Sequence, residues 1–94
     1  MQVKWLVKAL ANLTDEADYI AAHSPANAKA FFIHILASVD QLKEHPHLGR
    51  AGRVSGIREL VIIGYPYIIP YRIKGDAVEI LRVFHTSRSW PKRF

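Results

Sequence analysis

The chain has no cysteine, one methionine and no long apolar run free of charge. Without cysteine, neither a disulfide framework nor a thiolate zinc site can supplement the core, and the absence agrees with a reducing compartment. The opening stretch MQVKWLVKALANLTDEAD sets Lys4 and Lys8 among its apolar residues and turns acidic at Asp15, so it is neither a signal peptide nor a membrane span. The protein therefore reads as soluble and cytoplasmic. Ninety-four residues, half of them apolar, have enough interior for one core, so residues 1–94 are read as a single domain held by packing alone.

Arginine is absent from the first half of the chain. Residues 1–45 carry four Lys against five Asp or Glu, whereas residues 46–94 carry nine Lys or Arg against Glu59, Asp76 and Glu79. The net charge of +5 is thus concentrated in the second half, where all the arginines stand, at 50, 53, 58, 72, 82, 88 and 93. The planar guanidinium fork suits phosphate and carboxylate, which implies a polyanion or an acidic protein as partner. Plain solubility is the alternative reading.

Periodicity supplies the organisation. Met1, Val3 and Trp5 alternate with polar residues as in a short half-buried strand. Leu6, Leu10, Leu13, Ala17 and Ile20 then recur at three and four, predicting a helix over about 8–22. Ser24 before Pro25 is an N-cap and first-turn pair. The second helix starts there, presents Ala28, Phe31, Phe32, Ile35, Val39 and Leu42, and stops before Pro46. HPHLGRAGRVSG, at 45–56, has no period and is read as a loop. IRELVII (57–63), YIIPYRI (67–73) and AVEILRVF (77–84) read as a meander of three strands. Pro70 falls in the strand expected to be central, which predicts a bulge or an interrupted ladder beside it. The order β-α-α-β-β-β makes an α+β domain, with an antiparallel helix hairpin on one face of a small, mainly antiparallel four-stranded sheet.

Each of the last three strands carries one arginine: Arg58 with Leu60 and Ile62, Arg72 with Ile68 and Pro70, and Arg82 with Val78, Ile80 and Phe84. Arginine is costly to bury, so this pattern predicts a concave basic patch; surface pairing with Glu59, Asp76 or Glu79 is the alternative. His85 falls on the opposite face from Arg82 by alternation. It is either a hydrogen-bonded structural histidine or a general acid or base, with Tyr71, Glu59, His45 or His47 as possible second groups. His45 and His47 alone do not make a metal site, and no cofactor is implied. Tyr67 and Tyr71 read as core residues with exposed hydroxyls rather than a base-stacking platform. Trp90, beside Arg88 in the basic tail, either folds back on the core or anchors a partner.

Strand, helix hairpin, HPHLGR, IRELVI, YIIPYRI and VEILRVFHTSR, in this order and spacing, resemble the RelE/ParE superfamily of toxins from bacterial type II toxin-antitoxin modules over essentially the whole chain. The resemblance implies a cognate antitoxin, small, acidic and partly disordered, that binds the basic C-terminal half and the sheet. RelE-like members cut messenger RNA on the ribosome, and ParE-like members inhibit DNA gyrase. By position Arg58 and Arg82 resemble the phosphate-holding arginines of the RelE type, and His85 its C-terminal acid-base residue. The tail TSRSWPKRF, however, has no tyrosine to match, and Arg50 and Arg53 replace a lysine pair. The helix hairpin and the GR loop look more like ParE. The expectation is a ParE-like gyrase inhibitor that uses Arg50, Arg53, Arg58, Tyr71, Arg72, Arg82, Arg88 and Trp90 for binding. The alternatives are a ribosome-dependent endoribonuclease with Arg58, Arg82 and His85 as catalytic residues, and a non-toxic RNA- or protein-binding module.

Overall fold

The computed structural model of the chain describes residues 1–87, so the expectations for Arg88 and Trp90 lie outside the described residues. The elements run β1 (Gln2–Trp5), α1 (Val7–Ala21), α2 (Pro25–Asp40), a 3-10 turn (Gln41–Lys43), β2 (Arg50–Ala51), β3 (Arg58–Val61), β4 (Tyr67–Lys74), β5 (Ala77–Ile80) and β6 (Phe84–His85). Ser24 caps α2 as its sequence predicts: its backbone is extended, its hydroxyl accepts from the Asn27 N–H at 3.2 Å, and Pro25 opens the first turn.

Two helical stripes differ from expectation. On α2, Ala28, Phe31, Ile35 and Val39 are buried and Leu42 continues the stripe, but Phe32 is 38% exposed. On α1 the inward residues are Ala9, Leu13 and Glu16, while Leu10 is 47% exposed. The helix is turned relative to its apolar period because two polar side chains on the inner side, Asn12 and Glu16, bond to the strands. Asn12 Oδ1 accepts the Val83 N–H at 3.2 Å, and Glu16 Oε2 accepts the Tyr67 hydroxyl at 2.8 Å. Phe31 closes the core between the layers, with ring centroids 5.0 Å from Tyr67 and 5.3 Å from Tyr65.

The sheet order is β1-β5-β4-β3-β2, with β1 parallel to β5, the other pairs antiparallel, and β6 pairing with β4 beyond β5. The α+β class and the helix hairpin on one face are as expected. Beyond the four expected strands, the glycine-rich stretch read as loop contributes β2, and the last strand is divided into β5 and β6.

The division has a local cause. Tyr71 pairs with Ile80 and Ile68 pairs with Phe84, so residues 81, 82 and 83 face only residues 69 and 70. The Pro70 carbonyl accepts the Leu81 N–H at 3.0 Å. In an antiparallel ladder a residue's N–H and C=O point to the same side, so the donor that proline lacks is missing where the ladder opens. The interruption expected at Pro70 is therefore present, and Asn12 supplies an acceptor for one N–H released by it. Its consequence corrects the expected faces: Val83, not Arg82, follows Val78 and Ile80 into the core, and His85 pairs with Tyr67 on the helix side.

Candidate functional site

Strand alternation puts Arg50, Glu59 and Pro70 in one row and Arg72, Glu79 and Lys4 in another, on the face turned away from the helices. Glu59 is only 1% exposed, and a buried carboxylate needs partners. Two arginines supply them: Arg50 through Nη2 at 3.1 Å and Nε at 3.3 Å, and Arg53 through its backbone N–H at 2.9 Å and Nε at 3.7 Å. Arg72 Nε reaches Glu79 Oε1 at 2.6 Å. That hydrogen bond holds the Glu79 carboxyl below its ordinary range against a weaker opposing desolvation, with the charges of Arg72, Lys74 and Lys4 adding to it. The arginine side chains stay partly exposed, at 54% for Arg50 and Arg53 and 38% for Arg72. With Lys4 and Lys74 they outnumber the two carboxylates, so this face presents net positive charge to solvent.

Arg58 does not belong to that patch. It pairs with Tyr71 and lies on the helix side, where its Nη1 donates to the Gly49 carbonyl at 2.8 Å and the His47 carbonyl at 3.4 Å. Tyr71, 0% exposed, donates to the Pro46 carbonyl at 2.7 Å and accepts the Gly49 N–H at 2.8 Å. A Cβ on Gly49 would stand 2.6 Å from Tyr71 Cε1, so only glycine lets the loop close on the ring. Burial raises the Tyr71 hydroxyl above its ordinary range, against the opposing Gly49 N–H and the Arg58 charge. The expected concave patch of three strand arginines is thus corrected: Arg58 and Arg72 occupy opposite faces, and Arg58 and Tyr71 clasp the HPHLGR loop to the sheet.

At the other end of β4 a cleft of about 670 Å³ opens between α1 and the strand ends. Asn12, Asp15, Glu16 and Tyr19, at three- and four-residue spacing, form the helical wall, and Tyr65, Tyr67, His85 and Ser87 form the other. His85 stands edge-on to Tyr67 with centroids 5.2 Å apart. Its Nδ1 accepts the Ser87 N–H at 3.2 Å and lies 2.7 Å from the Ser87 hydroxyl. A backbone N–H can only donate, so Nδ1 carries the lone pair and the ring proton sits on Nε2.

These positions separate the three residues expected to act together in an endoribonuclease. Arg58 and His85 pair with Tyr71 and Tyr67, four residues apart along β4 and on opposite sides of it. That is roughly 13 Å along the strand and about 10 Å across it, with the fully buried Ile69 in between. Arg82 lies in the ladder break and turns its Nη1 back to the Leu81 carbonyl at 2.7 Å. The hydroxyls of Tyr67 and Tyr71, expected to be exposed, are buried and bonded. Glu16 and Asn12 escaped the sequence reading because apolar periodicity discounts polar residues; their signal was their place beside Leu13 on the inner side of α1. Among the described residues no group of three or more His, Cys, Asp or Glu is placed to hold a metal, and no helix is long and apolar enough to cross a membrane.

The architecture has close counterparts. Y4kP of Sinorhizobium fredii is 43% identical over 91 residues, covering 97% of this chain and 94% of that protein. Toxin RelE2 of Caulobacter vibrioides is 38% identical over 87 residues, covering 93% and 97%. Among solved structures, one described as the chromosomal ParDE TA system from P. aeruginosa superposes with a TM-score of 0.84 at 31% identity, covering 93% of this chain and 97% of that one. The model of the family described as ParE toxin of type II toxin-antitoxin system, parDE, matches residues 3–90. With the helix hairpin, the broken last strand and the clasped loop all inside that match, the chain belongs to the ParE toxin family and is a type II toxin of the RelE/ParE superfamily.

Proposed function

We propose that the protein is a ParE-type toxin that inhibits DNA gyrase in the cytoplasm and is neutralised by a cognate acidic antitoxin. The observation that carries this reading is the separation of Arg58 from His85. Cleavage of RNA requires a proton acceptor and a phosphate-holding cation within hydrogen-bond reach of one phosphodiester. Here the cation is spent on loop carbonyls at one end of β4, and the imidazole opens at the other into a cleft lined by Asp15, whose exposed carboxylate disfavours a phosphate beside it. The half-exposed Arg50, Arg53 and Arg72 form a positive face that suits an acidic protein segment without any catalytic assembly. Membership in a family of toxin-antitoxin toxins and the likeness to a chain of the P. aeruginosa ParDE system support an antitoxin partner.

The test is direct. Purified protein added to gyrase and relaxed plasmid is expected to block supercoiling, and the His85→Gln variant should block it equally. Unchanged supercoiling at excess toxin, together with A-site cleavage of messenger RNA in a translation extract that His85→Gln abolishes, would overturn the reading. Induction in a bacterium without growth arrest would instead point to a non-toxic binding module.

A further inference from the structure

At the end of the sheet opposite β2, β1 is the outer strand, and its main chain faces two ways. The Gln2 N–H donates to the Asp76 carbonyl at 3.3 Å and the Leu6 N–H to the Ile80 carbonyl at 3.0 Å. Alternation then turns the N–H and C=O groups of Gln2 and Lys4 toward β5 and those of Val3 and Trp5 outward. Among the described residues none of these outward groups has a hydrogen-bond partner. Beside this edge runs a groove of about 480 Å³, walled by the half-buried Val3 and Trp5 and, from α2, by Leu36, Ala37 and Val39. Asp40 and Lys43, which also line it, neutralise each other at 2.6 Å.

The side-chain rows that end at β1 specify what would extend them. On the face turned away from the helices, Lys4, Glu79 and Arg72 form one row across β1, β5 and β4, and the charges alternate along it. Lys4 is exposed and ends that row on a positive charge. On the helix side, Val3 continues Val78 and Ile73, and Trp5 continues Ile80 and Tyr71. A further strand would therefore carry an acidic residue beside Lys4 and apolar residues over the groove, in alternation. A second copy of the chain does not meet this requirement, because β1 against β1 brings the basic face of one molecule to that of the other.

We infer that the outer edge of β1 receives an extended segment of the cognate antitoxin in which apolar and acidic residues alternate. The segment hydrogen-bonds to the main chain of Val3 and Trp5, sets a carboxylate against Lys4 and lays its apolar side chains along Leu36, Ala37 and Val39. Main-chain bonds supply affinity in such strand addition, and the alternating side chains supply selectivity. The choice of the antitoxin rests on the toxin reading above; the chemistry of the edge does not.

The probe is the peptide acetyl-EVEIEV-amide, titrated into the isotope-labelled full chain and followed by amide NMR and hydrogen exchange. In the free protein the Val3 and Trp5 amides should exchange at nearly unprotected rates. The peptide should bind with a dissociation constant on the order of 1 mM and, near saturation, slow both amides roughly fivefold or more. Acetyl-EEEVIV-amide has the same composition but cannot keep its apolar and acidic residues on separate faces, and should bind roughly tenfold more weakly. Acetyl-KVKIKV-amide should not bind, and Lys4→Glu should reverse the preference between the acidic and the lysine peptide. Slow exchange of Val3 and Trp5 in the free chain, no binding, or equal binding of the three peptides overturns the edge as a receptor. In the complex with the antitoxin encoded beside the toxin both amides should be protected; unprotected amides there overturn the antitoxin as occupant. Gyrase inhibition is read separately, so a failed titration leaves that proposal standing, and a failed gyrase assay leaves the edge standing.

Discussion

Tyr67 and Tyr71 sit on one strand, point to one face and are both buried with bonded hydroxyls, yet they do different work. Tyr71 bonds backbone groups of the Pro46–Gly49 loop, and with Arg58 it closes a dry clasp. Tyr67 bonds the side chain of Glu16 at the floor of an open cleft. The difference lies in the partners and not in the tyrosines. A hydroxyl tied to main chain fixes the path of the chain; one tied to a carboxylate fixes how a helix side chain sits against the sheet.

The contrast can be broken first at the clasp. Gly49→Ala forces a methyl into the Tyr71 ring, at 2.6 Å from Cε1 and 2.7 Å from the hydroxyl oxygen. Chemical denaturation is expected to show a loss of about 3 kcal/mol, at the upper end of overpacking costs. Removing the hydroxyls comes next. Tyr71→Phe leaves the Pro46 carbonyl and the Gly49 N–H without their partner and should cost about 2 kcal/mol; Tyr67→Phe should cost about 1 kcal/mol, because water in the cleft can reach Glu16. Equal losses from the two variants would erase the distinction between clasp and cleft.

Alkaline titration sharpens the same comparison. The raised Tyr71 pKa means the folded protein holds this proton more tightly than the unfolded chain does. The resulting stabilisation is complete below the ordinary tyrosine value of about 10 and is lost as pH rises through the folded-state value. Stability of the wild type should therefore fall with pH in that window, and Tyr71→Phe should flatten the fall. The smallest effect belongs to the outer face of the same strand. Arg72→Gln should let the Glu79 carboxyl titrate back up toward its ordinary range by NMR, with unfolding scarcely changed, since this pair stands at the solvent edge.

Much of the fold was legible because its signals are local: Ser24 and Pro25 start a helix, and β-branched runs between glycines make strands. The family order of HPHLGR, IRELV and YIIPYRI was legible for the same reason. What escaped depends on neighbours far along the chain. The inner side of α1 was misjudged because Asn12 and Glu16 find partners 71 and 51 residues away, which no helical period reports. The faces of the last strand were misjudged because a proline on β4 opens the ladder of β5 and β6. Arg58 was read as a groove residue on the ground that buried arginine is costly, yet carbonyl oxygens of a folded-back loop meet that cost as well as a phosphate would. The cleft combines both failures, since one wall is the misjudged side of α1 and the other holds the displaced His85.

The three-against-two break beside Pro70 also works as a parity setting. Which side of the sheet owns everything after Leu81 depends on whether one extra residue is kept out of the ladder. Closing the break without shortening the chain would slip the register by one, set Phe84 opposite Tyr67 and carry His85 across to the side of Arg72 and Glu79, away from the cleft. A histidine among arginines and a histidine among carboxylates and tyrosines have opposite chemistries. The unpaired residue beside Pro70 is therefore what gives the cleft its imidazole while every strand stays where it is.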